Sequence, residues 1–97
     1  MRVIAKKALR EFWAKHPDAE SQLTIWYSEA TKAIWSSPSD IKRMYASASI
    51  LKGGRVVFNI CDNKYRLVVD INYERAWVFV RFIGKHTDYD KIDANTI

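Results

Sequence analysis

Apolar positions along this chain change period at Gly53-Gly54: before that pair they recur every three to four residues, and after it every second residue. In the first half, Leu9, Phe12 and Trp13 mark one face of a helix that begins near Ala5, behind a short edge strand over residues 2–5. Pro17 disfavours helix at His16 and suits the first turn of a second helix, where Asp18 and Glu20 complement the dipole. That helix is expected to run to about Trp35, with Leu23, Trp26, Tyr27, Ala30, Ala33 and Ile34 as its apolar stripe. Ser36-Ser37-Pro38-Ser39-Asp40 ends it and starts a third, with Ser37 as N-cap, Pro38 at the first position and Asp40 as in a capping box. Ile41, Met44 and Tyr45 form the inward side of this short helix.

The second half reads as three strands, residues 55–61, 64 to 72 or 73, and 76–83, joined by short turns into an antiparallel meander. With Asp62-Asn63 as a two-residue loop, Asn59 faces Arg66 and Arg55 faces Asp70; with Glu74-Arg75 as another, Val68 faces Arg81. Alternation then places Val56, Phe58, Ile60, Tyr65, Leu67, Val69, Ile71, Val78, Val80 and Phe82 on one face, against the helices. Arg55, Asn59, Lys64, Arg66, Asp70, Asn72 and Arg81 fall on the other, among Val57, Val68, Trp77 and Phe79. A half-polar, cationic sheet face of this kind suits an RNA backbone. Beyond Ile83 the chain is expected to leave the sheet, with Thr87 capping a helical turn that has Asp88 and Asp90 near its start.

Composition narrows the function more than the fold. At 97 residues the chain has room for one α+β domain, spanning 1–97, with its N-terminal helices packed on one face of a small antiparallel sheet and a short helix at the C-terminal end. The net charge of +5 and pI near 9.5 favour an anionic partner. Residues 1–54 hold nine Lys/Arg against five Asp/Glu, and residues 55–97 seven against six, so an anion site in the second half must arise from placement. Lys6, Lys7 and Arg10 would add non-specific attraction to RNA. Cys61 is the sole cysteine, which excludes an intrachain disulfide, and no segment approaches the roughly 20 apolar residues of a membrane span. A cytoplasmic location is the expectation, with no membrane partner. His16, His86 and Cys61 lie in separate segments without zinc or two-metal spacing, so neither a metal site nor a cofactor is expected.

Three stretches together carry a resemblance: Arg55-Val-Val-Phe-Asn-Ile, then Asn63-Lys-Tyr-Arg-Leu-Val-Val, then Val80-Arg-Phe-Ile-Gly-Lys-His-Thr-Asp-Tyr-Asp-Lys-Ile-Asp. They resemble the HigB family of toxins in toxin-antitoxin pairs, and more widely the RelE superfamily, over about the last 45 residues, with a looser match of the helical half. The resemblance implies a RelE-like fold and a metal-independent endoribonuclease that cuts messenger RNA in the ribosomal A site. It also implies a cognate antitoxin, a HigA-like helix-turn-helix protein, that neutralises the toxin.

Cleavage of RNA without a metal needs a base for the 2′-hydroxyl, cations for the phosphate and an acid for the 5′-oxygen, and gives a 2′,3′-cyclic phosphate. With the resemblance in hand, Arg66 is the expected phosphate clamp, against a plain reading as a solvated strand arginine. His86 is the expected general acid, since an ordinary imidazole titrates near pKa ~6.5, against a plain exposed loop histidine. Asp90, four residues on, would orient that imidazole, or is simply helix-start charge; Tyr89 would stack on a base, or packs the last turn onto the sheet. Lys64, Arg55 and Arg81 are candidates for further phosphate contacts, Arg55 being discounted by its pairing with Asp70. A non-catalytic module of the same fold, such as a gyrase-targeting toxin, and a purely RNA-binding or structural protein are the alternatives. A binder has no chemical need for the set of Arg66, His86 and Tyr89.

Overall fold

The computed structural model describes residues 1–97. Its elements are β1 (Arg2–Ile4), α1 (Lys6–Lys15), a 3-10 turn (Pro17–Ala19), α2 (Glu20–Lys32), α3 (Pro38–Met44), β2 (Ser49–Ile50), β3 (Arg55–Ile60), β4 (Tyr65–Asn72), β5 (Trp77–Lys85) and α4 (His86–Tyr89). The strands form one sheet in the order β1-β5-β4-β3-β2. The expected meander is there, and its β3–β4 register is as the turn and the alternation require: Asn59 opposite Arg66, Arg55 opposite Asp70. The sheet is mixed rather than wholly antiparallel, because β1 joins β5 in parallel, and β2 adds a two-residue edge that the sequence does not announce.

Helix limits follow local chemistry. α2 stops at Lys32 rather than near Trp35, since Ala33 turns to an extended conformation (φ −73°, ψ 152°) that lets Trp35 drop into the core, 3% exposed. The expected capping box at α3 does not form. Ser37 makes no side-chain cap, and Asp40 reaches back instead to Ser36, accepting from its N–H at 2.9 Å and its hydroxyl at 3.0 Å. Those bonds, with Arg43 nearby, hold the Asp40 carboxyl below the usual carboxylate range.

The core lies between the helices and one sheet face: Leu9, Leu23, Trp26, Trp35 and Ile41 meet Phe58, Tyr65, Leu67, Val69 and Val78. Phe58 is its hub, edge-on to Trp26 (5.4 Å) and Tyr45 (5.1 Å) and stacked with Trp35 (6.2 Å). Aromatic pairs of this geometry add to the burial of their area.

The β4–β5 register corrects the expected one. From Asn72–Trp77 to Val69–Val80 the strands pair as a two-residue loop dictates, but Val68 then faces Phe82, not Arg81. Arg81 is the extra residue of a β-bulge, and such an insertion reverses the facing of every later side chain. Ile83 therefore packs against the main core, and Phe82 crosses to the other face. The strand also runs on to Lys85, so α4 starts at His86 and Thr87 lies inside it rather than capping it.

Phe82 joins a second apolar cluster there, with Val57, Val68, Leu51, Tyr89, Ala94 and Ile97. The middle of the face expected to be open is thus covered by the C-terminal segment, and Val57 and Val68 are 3% and 0% exposed. Gly84 makes room for this packing, because a Cβ there would come within 2.6 Å of the Phe82 ring. Open on either side of this cover are the end of the sheet where β4 begins and β5 ends and, at the other end, the exposed side chains of Asn72 and Arg81.

Candidate functional site

Arg66 is the second residue of β4, with Asn59 opposite it on β3 and Gly84 on β5, so no side chain faces it from the β5 side. Its Nη1 donates to the carbonyls of Asn63 (2.7 Å) and Tyr65 (3.3 Å). No carboxylate pairs with it. A guanidinium anchored by one nitrogen on neutral carbonyls keeps its full charge and the rest of its donor fork for a phosphate.

His86 follows β5 directly, and its backbone N–H donates to the Lys64 carbonyl at 3.1 Å, which extends the β4–β5 ladder by one bond into α4. Arg66 and His86 are therefore diagonal neighbours across the strand pair, a relation that sets Cα atoms about 7–8 Å apart. Asp90 lies one turn on: its N–H donates to the His86 carbonyl (3.0 Å), and its Oδ2 is 3.9 Å from His86 Nδ1. That separation is too long for a hydrogen bond, and the side chains are 53% and 70% exposed, so their coupling is weak. Tyr89 packs on the second apolar cluster and stays partly open. The structure thus brings Arg66, His86 and Asp90 to one end of the sheet with Tyr89 beside them.

The other cations are placed differently. Arg55 is committed to Asp70 (2.7 Å) and to the Ile97 carbonyl (2.5 Å), holding the C-terminal segment to the sheet. Arg81, on the bulge, shares Asp70 at 3.3 Å and lies over the Phe79 ring. Lys6 sits over the Tyr27 ring, and Lys7 is 3.7 Å from Glu11. Both belong, with Arg10, to the helical layer on the opposite side of the sheet from Arg66.

Lys64 turns toward the helices, to Asp18 at 2.5 Å. Asp18, which the sequence presents only as helix-start charge, also accepts from the Tyr65 hydroxyl at 2.7 Å. The Lys64 bond first, then the Tyr65 bond, keeps the Asp18 carboxyl below its ordinary range, and the same contact raises Lys64. The depressed carboxyl stabilises the fold above its unfolded-state pKa, and that contribution fades as pH falls through the folded value; the raised ammonium contributes up to alkaline pH. Asp18→Asn is accordingly expected to flatten both the acid side of a stability-against-pH curve, where the carboxyl titrates, and its far alkaline side, where Lys64 titrates, as read by thermal melts across pH.

Lys85 is exposed at the same end, but its pairing with Tyr65 sets it on the helix-facing side of the sheet, away from Arg66. No group of three or more His, Cys, Asp or Glu side chains stands close enough to hold a metal ion. No helix is long and apolar enough to cross a membrane. An uncompensated guanidinium beside an exposed imidazole can bind a phosphodiester and exchange a proton with one of its oxygens.

The family described as "HigB_toxin, RelE-like toxic component of a toxin-antitoxin system" matches residues 19–92, a span that includes the whole of this sheet end. The chain is 26% identical over 92 residues to the mRNA interferase toxin HigB of Escherichia coli strain K12, covering 93% of this chain and 88% of that protein. To the mRNA interferase HigB of Escherichia coli O6:H1 it is 24% identical over 94 residues, 95% of this chain and 91% of the other.

Proposed function

We propose, for a chain that belongs to the HigB family of RelE-like toxins, that it is itself an mRNA interferase: an endoribonuclease that works without a metal and acts on messenger RNA in the ribosomal A site. The observation that carries this is the diagonal placement of an anchored, acid-free Arg66 and His86 across the β4–β5 strands. Arg66 would hold the scissile phosphate and stabilise the charge that builds on it as the 2′-oxygen attacks. His86 would protonate the departing 5′-oxygen, leaving a 2′,3′-cyclic phosphate and a 5′-hydroxyl. Tyr89 would stack on a base at the edge of the apolar cluster, and Asp90, 3.9 Å from the ring, would bias the imidazole only weakly. As the toxic component of such a pair, the protein has an antitoxin partner; the reading extends to a helix-turn-helix protein of the HigA kind, and to the cytoplasm as the place of action.

The test is cleavage of messenger RNA by the purified chain in EDTA, with and without ribosomes. Cyclic-phosphate ends are expected, and a substrate with a 2′-deoxy nucleotide at the cleavage site should remain whole. Absence of cleavage in both settings overturns the reading. Arg66→Lys keeps the charge and loses the planar fork, so cleavage should fall by about 10-fold or more, comparable to the loss of 1–3 kcal/mol of charge-assisted hydrogen bonding.

A further inference from the structure

Arg66 and His86 both donate to carbonyls of one short turn, those of Asn63 and Lys64. Cys61, Asp62 and Asn63 all have left-handed backbone conformations (φ 54°, 51° and 73°), an uncommon run for residues other than glycine. The strained run points the Asn63 carbonyl at Arg66 and the Lys64 carbonyl at the His86 N–H. Left-handed residues cost about 1–2 kcal/mol each and persist only where surrounding contacts fix them.

Those contacts come from the helical layer. Gln22 of α2 accepts from the Cys61 N–H at 2.7 Å, at the point where the β3 edge has no neighbouring strand. Asp18 holds the other end of the turn through Lys64 and Tyr65, and its own carbonyl lies 3.4 Å from the Cys61 thiol. Burial first, then the Asp18 charge, pushes that thiol above its usual range and keeps it neutral.

We propose that Gln22 and Asp18 are positioning residues for the reaction: from the helical side they clamp the β3–β4 turn, whose Asn63 and Lys64 carbonyls seat Arg66 and His86. The inference rests on the reading of Arg66 and His86 as the working groups. Neither Gln22 nor Asp18 reaches the phosphate side of the sheet; they act through the turn.

Gln22 is exposed, so its substitution tests the clamp without emptying the core. Gln22→Met keeps the length and removes the acceptor; Gln22→Glu keeps an acceptor. The expected result is a kcat for RNA cleavage lowered by about 10-fold in Gln22→Met, as a misplacement of well under 1 Å would cause. Gln22→Glu should restore most of it. Affinity for a 2′-deoxy RNA analogue should be unchanged in both, and the melting temperature should fall by no more than several degrees in Gln22→Met, the loss of one hydrogen bond.

A second readout does not need cleavage. In Gln22→Met the His86 and Arg66 amides should exchange hydrogen faster than in the unsubstituted protein, and in Gln22→Glu they should not. Equal kcat in both variants and the parent, or unchanged exchange in Gln22→Met, overturns the clamp. If the unsubstituted protein cuts no RNA, the functional reading fails, and the exchange rates alone still decide whether Gln22 seats these two residues.

Discussion

His86→Gln is expected to lower RNA cleavage by about 10²–10⁴-fold, the range contributed by a positioned general acid. Glutamine has much of the reach of an imidazole and can donate a hydrogen bond, but it has no proton to give up to a leaving oxygen. The bond that seats residue 86 is made by its backbone N–H to the Lys64 carbonyl, so the substitution leaves the turn and α4 in place. The side chain is half exposed and packs in neither apolar cluster, and changes at such sites move stability by only about 0.5 kcal/mol. RNA affinity measured with a 2′-deoxy analogue should therefore persist while turnover disappears. Asp90→Asn, at 3.9 Å from the ring and largely solvated, should cost only a few-fold, in line with a weak exposed pair. Activity like that of the parent in His86→Gln removes the acid role; a larger loss in Asp90→Asn than in His86→Gln reverses the assignment of the two residues.

How far the sequence leads to this site differs between its two strands. The position of Arg66 is legible because Asp62-Asn63 fixes a short turn and alternating Val56, Phe58, Ile60 against Tyr65, Leu67, Val69 fixes the facing. The far side of the pair is not. Phe82-Ile83 is an apolar doublet, compatible with either facing, so nothing in it reveals that Arg81 is inserted and that Phe82 and Ile83 exchange sides. The cover over Val57 and Val68 is equally silent, since Ala94 and Ile97 are too sparse to show a period. Its consequence is large: a sheet face that reads as one broad cationic surface is divided into two open ends, one with Arg66 and the other with an Arg81 tied to Asp70. Gln22 and Asp18 escape detection for another reason. Their partners are 39 and 46 residues away, and no local pattern marks a polar side chain that substitutes for a missing edge strand. The lone charge at Asp18 looks the same whether it complements a helix dipole or holds Lys64 and Tyr65.

The fold itself depends most on Phe58, and Phe58→Ala is expected to remove about 3–5 kcal/mol of stability, the cost of truncating a buried aromatic. The side chain is 1% exposed and touches Trp26 of α2, Trp35 beyond it and Tyr45 after α3, so it joins three parts of the helical half to β3. None of those rings can collapse into the space without leaving its own neighbours. In a domain whose total stability is on the order of 5–15 kcal/mol, the melting temperature should drop by roughly 15 °C or more. Two of the four tryptophans pack on this ring, so fluorescence follows the transition directly. Phe58→Leu refills most of the volume and should cost a fraction of that. Phe58 points to the helices and Arg66 to the opposite face, while β4 keeps its register through the turn and the Gln22 and Asp18 bonds. Below its lowered transition, Phe58→Ala should accordingly cleave RNA with near-parental kcat. Loss of cleavage in a still-folded variant would mean that the core, and not the turn clamp, sets the geometry of the site.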